Sequence, residues 1–265
     1  METPVIIPAL NEENNIGRLL RNLPKDVAPI VVVNGSTDHT AEIAESFGVK
    51  LFNLTEQGKL PAIQHALRFL GKRALDPLII LDADSTPIFP KAWHNQMLSS
   101  LEPESRHCIA VSGPVWSTPN MNSLDCHIDS AARSLYRIAS VITKRHKSVH
   151  SGVGGSQYGP NQGYHMQNYS TLEQVLDLDH YWPREDLATV KTIVGSDKNG
   201  VFKQIASPLC LVLAPNSESY QPIVNRFKYG FLGKNLKRGT EESHSAELED
   251  YLSRGAPGSK LYDEV

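Results

Sequence analysis

Residues 78–87, LIILDADSTP, set an apolar run of four against two carboxylates, Asp82 and Asp84, one residue apart. Two earlier stretches have the same form, VIIPALNEENNIG at 5–17 and VVVNGSTDHT at 31–40. In each, a strand-like run gives way to polar residues and then to helical spacing. Repeated βα units of this length call for a parallel sheet with right-handed crossovers. Ligands of such sheets bind beyond the carboxyl ends of the strands. Core packing gives no reason for two carboxylates at a strand exit; a divalent cation and the ligand it carries do.

Val5–Ile7 opens the first strand, and Asn11 is the expected N-cap of a first helix with Glu12 and Glu13 in its first turn. Ile16, Leu19, Leu20 and Leu23 recur at helical spacing until Pro24. Ile30–Val33 is β-branched throughout, as a strand covered on both faces should be. A helix from about Asp38 to Phe47 follows, with Gly48 as its C-cap residue. Lys50–Leu54 is the third strand, and Ile63, Ala66, Leu67 and Leu70 mark a helix that ends at Gly71. Leu78–Leu81 is the fourth strand and Ile109–Val111 the fifth.

The second half reads differently. A long helical stretch runs from about Asn122 to Lys147, followed by a glycine-rich loop, SGVGGSQYGPNQG, at 151–163. A short helix is expected from near Trp182, strands at Val201–Ile205 and Leu209–Leu213, and an amphipathic helix over 220–237. From Thr240 onward there are seven acidic and two basic residues, read as a surface helix and tail.

A net charge of -3 and 40% hydrophobic content carry no basic excess that would announce a nucleic-acid binder. Cys108, Cys126 and Cys210 form no CxxC pair, which argues against a disulfide framework or zinc site and for reduced thiols. No basic region with an apolar stretch and cleavage site opens the chain, and no window approaches the ~18 apolar residues of a membrane span. The expectation is a cytoplasmic protein that can touch a membrane surface peripherally.

Along the extended Asp82-Ala83-Asp84 backbone, the two carboxylates point to opposite sides. One can meet ribose or base while the other reaches a cation that bridges two phosphates. Mg²⁺ and Mn²⁺ take hard oxygen ligands, often one or two carboxylates beside substrate phosphates. A DxD triplet elsewhere usually caps a turn; its place after a fourth parallel strand favours metal. Pro8-Ala9-Leu10-Asn11-Glu12 and Asn34-Gly35-Ser36-Thr37-Asp38 present side-chain oxygens beside helix N-termini, which suit anions. Asp38 alone reads as an N-cap. Neither GxGxxG nor GxxxxGK[ST] occurs in these segments, so hydride transfer and P-loop ATPase chemistry lose their usual support.

Taken in order, IIPALNEENNI, VVVNGSTDHTAEIA, QGKLPAIQHAL and ILDADS resemble the glycosyltransferases of family 2, over roughly residues 4–100. The resemblance implies a GT-A (Rossmann-like) α/β fold, a mostly parallel sheet flanked by helices with a smaller acceptor-side region. With a composition shift near residue 120, the chain is read as one such domain over 1–239, with a nucleotide-sugar half (1–120), an acceptor half (121–239) and an acidic tail (240–265). By motif position Pro8, Asn11, Glu12, Asp38, Lys59, Asp82, Ala83 and Asp84 inherit contacts to a UDP- or GDP-sugar. Asp84, with Asp82, inherits the Mg²⁺ or Mn²⁺. The second motif usually has Asp before Gly-Ser; Asn34 stands there and offers the base an amide without charge.

Arg184-Glu185-Asp186, after Tyr181-Trp182-Pro183, falls where inverting members of the family keep an acidic pair. An acceptor hydroxyl must lose a proton as it attacks, and Asp186, with Glu185 second, is assigned as the base. Two acids in a helix first turn would otherwise be ordinary. Gln221, Arg226 and Gly230 loosely resemble a segment of some family members, with Lys228-Tyr229 replacing the usual Arg-Trp, and a cation there would neutralise the leaving diphosphate. Residues 133–147 and 226–238 each carry five Lys or Arg. They read as solvated faces or as contacts to an anionic acceptor, a lipid phosphate or a nucleic-acid backbone. His165, His180 and His244 are candidates to complete a metal shell. The competing functions are a nucleotidyltransferase, whose glycine-rich basic loop is missing from Pro8–Gly17, and a non-catalytic nucleotide-sugar-binding module.

Overall fold

All seven residues of Thr3–Ala9 are buried, as a strand covered on both faces requires. This strand is β1 of a computed structural model that describes residues 2–87, 89–101, 108–112, 115–118, 161–166, 168–178, 189, 192–193, 195–196, 201–204 and 210–213. In chain order there follow α1 (Ile16–Asn22), β2 (Val27–Asn34), α2 (Thr40–Ser46), β3 (Lys50–Leu54), α3 (Lys59–Leu70) and β4 (Leu78–Leu81). Then come β5 (Ser85–Pro87), α4 (Pro90–Leu101), β6 (Cys108–Ser112), β7 (Val115–Thr118), β8 (Asn161–Tyr164), α5 (Tyr169–Leu176), β9 (Val201–Gln204) and β10 (Cys210–Leu213).

The main sheet has the order β3-β2-β1-β4-β8-β6-β9. Only β8 runs against its neighbours, so the sheet is mostly parallel, as expected. Side chains alternate between its faces. Ile6, Ile30, Val32, Leu78 and Ile80 meet Ala62, Ile63, Ala66 and Leu67 of α3 on one side. Val5, Ile7, Val31, Val33, Ile79 and Leu81 meet α1, α2 and α4 on the other, with Trp93 and Met97 wholly buried. Each such aliphatic side chain stabilises the fold by about 1.5–3 kcal/mol. The result is a rigid sheet whose strand ends hold their loops in fixed places.

The seam between β1 and β4, inside that sheet, shapes the site. β1 pairs with β2 over seven residues but with β4 only at Val5–Ile79 and Ile6–Ile80. Pro8 lies beyond the last of these and has no N–H with which to extend the ladder. A second sheet of order β5-β10-β7 sits beyond β4, with β5 beginning directly after Asp84.

Several expectations are corrected. Asn11 is not an N-cap: α1 starts at Ile16, and Asn11 has a left-handed φ of 55°. The second helix begins at Thr40 rather than Asp38. Residues 161–163, read as the end of a glycine-rich loop, belong to β8, which separates the fourth and fifth strands. The glycine there answers packing, because a Cβ on Gly163 would lie 2.7 Å from Val111 Cγ1 and 3.0 Å from Leu101 Cδ1. The strand expected at Leu209–Leu213 is present as β10, Cys210–Leu213, in the second sheet. The expected helices at 122–147 and 220–237, the start of the one expected from Trp182, and the segment from Thr240 lie outside the described residues; Thr189, Thr192, Ile193 and Gly195, further along, are helical.

Candidate active site

Asp82 opens the turn that leaves β4, and Asp84 lies within it. Ser85 N donates to Asp82 O at 2.9 Å and closes this turn, and Ala83 between them is buried in the core with Leu81 and Trp93. The middle residue is thus an anchor, and the two half-buried carboxylates are held at the carboxyl rim of the sheet. Asp82 Oδ1 pairs with Lys59 Nζ at 2.6 Å. Lys59 reaches it because Gly58, with a φ of 135°, turns the chain directly into α3. Asp84 accepts from Ser85 Oγ at 3.4 Å.

The loops after β1 and β2 form a second wall, knitted by bonds in both directions. Asn11 N donates to Ser36 Oγ at 3.0 Å, and Thr37 N donates to Asn11 Oδ1 at 2.9 Å. Glu12 N donates to Thr40 Oγ1 at 2.8 Å, Glu13 N to Asp38 Oδ2 at 3.1 Å, and His39 N to Glu13 Oε2 at 3.2 Å. The left-handed turn at Asn11 makes this possible, and asparagine tolerates that conformation better than most residues. Both oxygens of Asp38 accept from protein groups, Oδ1 from the N–H and hydroxyl of Thr40 and Oδ2 from Glu13. Burial raises the Asp38 pKa, but these bonds outweigh it and hold the carboxyl below its usual range. Pro8 is a buried residue of β1 beside this wall.

Asn34 ends β2 and is 3% exposed, yet its Oδ1 has no hydrogen-bond partner among the described residues. An orphaned buried acceptor costs about 1–3 kcal/mol. Next to it Gly35 takes a φ of 81°, donates to Leu54 O at 2.8 Å, and could not carry a Cβ, which would meet Gln57 Cγ at 2.7 Å. A tight turn at Gly35 thus stands beside an unpartnered acceptor at the end of β2.

A family model described as Glycosyl transferase family 2 matches residues 5–165, more than half of the sequence. The chain belongs to glycosyl transferase family 2. A 4,4'-diaponeurosporenoate glycosyltransferase of Staphylococcus aureus (strain USA300) is 34% identical over 88 residues, 31% of this chain and 24% of that protein. The chain thus matches about a quarter of that relative's length. Among solved structures, glucosyl-3-phosphoglycerate synthase from Mycobacterium tuberculosis with Mn2+, UDP and phosphoglyceric acid covers 87% of this chain and 76% of its own. Its TM-score is 0.56 at 15% identity, and the same enzyme with Mg2+ and UDP superposes at 0.55. At that identity the likeness establishes the GT-A fold of this family 2 chain.

Among the described residues no three His, Cys, Asp or Glu side chains cluster as a metal site. The donor set still fits Mg²⁺ or Mn²⁺, which accept one carboxylate together with phosphate oxygens and water. His165 does not complete this shell. It follows β8, which runs antiparallel to β4 with Tyr164 opposite Leu78, and so sits at the far end of the strand from Asp84. Asn161, at the other end of β8, enters the sheet opposite Leu81. Glu185, Asp186, Gln221, Arg226, Gly230, His180 and His244 lie outside the described residues.

Arg18 carries no mark of a site residue in the sequence. It projects from α1, donates from Nη2 to Asn15 Oδ1 at 2.7 Å and from Nε to Thr86 Oγ1 at 3.4 Å. Burial lowers its pKa and Arg21 adds to that, while Asp84 and Glu12 oppose both.

Proposed function

We propose that this family 2 chain transfers a sugar from a nucleoside diphosphate sugar to a hydroxyl acceptor, with inversion and with Mg²⁺ or Mn²⁺. The observation that carries the reading is the pair at the end of β4: Asp82 compensated by Lys59, and Asp84 beside it at the same rim. Asp84 would hold the cation together with the donor diphosphate, and Lys59 lies close enough to Asp82 to exchange its partner for ribose or phosphate oxygens. A bound divalent ion supplies neutralisation of the charge that grows on the leaving group. Asn34 Oδ1 would accept from an imide N–H of the base, uracil or guanine, which resolves its orphaned state. UDP in the superposed synthase supports the first of these.

On the acceptor side, Asp186 takes the hydroxyl proton, with Glu185 beside it. The acceptor oxygen then bonds to the anomeric carbon as the bond to the diphosphate oxygen breaks. Hexosyl transfer to an anionic acceptor, a lipid phosphate or a nucleic acid, fits the basic stretches 133–147 and 226–238. We place this activity in one domain over residues 1–239, in the cytoplasm or peripheral to a membrane. No helix among the described residues is long and apolar enough to cross one.

A thermal-shift screen of UDP- and GDP-sugars with Mn²⁺ tests the reading. A donor at about 100 times its Kd adds about 2.7 kcal/mol, which for a chain of this size raises Tm by about 5–10 °C. Slow Mn²⁺-dependent hydrolysis of the same donor separates an enzyme from a binding module. If no nucleotide sugar shifts Tm, the reading fails.

A further inference from the structure

The two basic residues of α1 differ in their surroundings. Arg21 is exposed, whereas Arg18 is half-buried against β5. The Arg18 guanidinium joins two segments of the cleft. It binds Asn15 Oδ1, and Asn15 Nδ2 in turn donates to Glu12 Oε2 at 2.7 Å. On its other edge it binds Thr86, two residues past Asp84. Each carboxylate of the pair after β4 thus has a cation in its field from a different helix, Lys59 of α3 for Asp82 and Arg18 of α1 for Asp84. Glu12 and Asp84 are like charges on neighbouring loops, and Arg18 is bonded to Asn15, which holds Glu12, and to Thr86, two residues past Asp84. Lysine could supply the charge, but it lacks the planar fork that bonds in two directions.

We propose that Arg18 is a positioning residue of the donor site: it fixes the loop after β1 against the strand after Asp84 and keeps a positive charge beside the place of the diphosphate. The proposal rests on the donor-site reading above. A charge so placed acts oppositely on two ligands, disfavouring a bare divalent cation at Asp84 and favouring an anionic diphosphate. An arginine that merely holds the fold together would move both affinities in one direction.

The test uses the full chain, its Arg18→Met and Arg18→Lys variants, and two probes. Bare Mn²⁺ is titrated by the loss of its free-ion electron paramagnetic resonance signal. UDP and GDP are titrated calorimetrically with Mn²⁺ present. The expected result for Arg18→Met is Mn²⁺ binding tighter by about three- to tenfold, with nucleoside diphosphate binding weaker by about tenfold. Arg18→Lys should match the parent for Mn²⁺ and fall between the two for the nucleotide. With turnover, Arg18→Met should raise the donor KM more than it lowers kcat.

If Mn²⁺ binding fails to tighten in Arg18→Met, or both affinities fall together, the proposal is overturned while the donor site stands. Should Arg18→Met not fold, Arg18→Lys decides: Mn²⁺ affinity that departs from the parent's overturns it. A parent chain that binds neither UDP nor GDP overturns the donor-site reading itself.

Discussion

Replacing Asn34 by leucine should make the protein more stable and worse at holding its nucleotide. The side chain is 3% exposed and its Oδ1 is unpartnered among the described residues. Removing a buried orphan of this kind returns about 1–3 kcal/mol, and leucine is close enough in shape to fill the space. Allowing for imperfect packing, we expect a gain of about 1 kcal/mol, or a Tm about 2–4 °C higher. The same change deletes the acceptor for the base. A loss of about 2 kcal/mol in binding is about 30-fold in Kd. A nucleoside diphosphate present at about 100 times the parent's Kd would then add less than about 1 kcal/mol in place of about 2.7. Differential scanning fluorimetry with Mn²⁺, with and without UDP or GDP, reads both effects in one experiment. A Tm that drops by several degrees while the ligand-induced shift stays whole would refute the reasoning and make Asn34 structural.

Three further outcomes follow from particular contacts. Gly163→Ala forces a Cβ to within 2.7 Å of Val111 Cγ1; overpacking of this sort costs about 1–3 kcal/mol, read as a lower urea midpoint. His94 is buried with Nε2 3.0 Å from Thr3 Oγ1, and burial lowers its pKa, with Asp26 opposing. A histidine with a folded pKa below its unfolded value near 6.5 contributes stability above that pH, and this is lost as pH falls toward the folded value. Urea midpoints should therefore decline from pH 7 to 5.5, and His94→Gln should flatten the decline. Asp186→Asn should abolish sugar transfer and leave the donor-induced Tm shift in place; persistent turnover in that variant would remove the base assignment.

The strands β1, β2 and β4 are legible in sequence because burial on both faces leaves an uninterrupted apolar run, as in Ile30–Val33. β8 is illegible for the opposite reason. Asn161–Tyr164 contains a glycine whose purpose is the close approach of Val111 and Leu101, and one dimension does not show that approach. α4, PKAWHNQMLSSL, escapes because it buries His94 and Ser100 among its apolar residues and so blurs the helical pattern. α5 did offer a signal, the Asn168 cap that accepts from Thr171 N at 2.9 Å. β5 and β7 are three and four residues long, too short for periodicity to declare them.

In the site the same division holds. Asp82, Asp84 and Lys59 stand out as charged residues at strand and helix ends, and the structure joins two of them in an ion pair. Asp38 reads in sequence as an N-cap, but His39 holds that place, and the Asp38 carboxylate instead accepts from Thr40 N and, across to the other loop, from Glu13 N. Arg18 looks in sequence no different from Arg21. Only the packing of α1 on β5 separates a residue bonded to Thr86 from one in solvent.

The claim at the centre of this account is that Asp84 holds a cation for a nucleoside diphosphate. The most direct measurement is the Mn²⁺-dependent gain in Tm on adding UDP or GDP, compared between the parent chain and Asp84→Ala. The account predicts a gain of about 5–10 °C in the parent, and little or none in a variant that melts near the parent's own temperature without ligand. An equal gain in both proteins would contradict it.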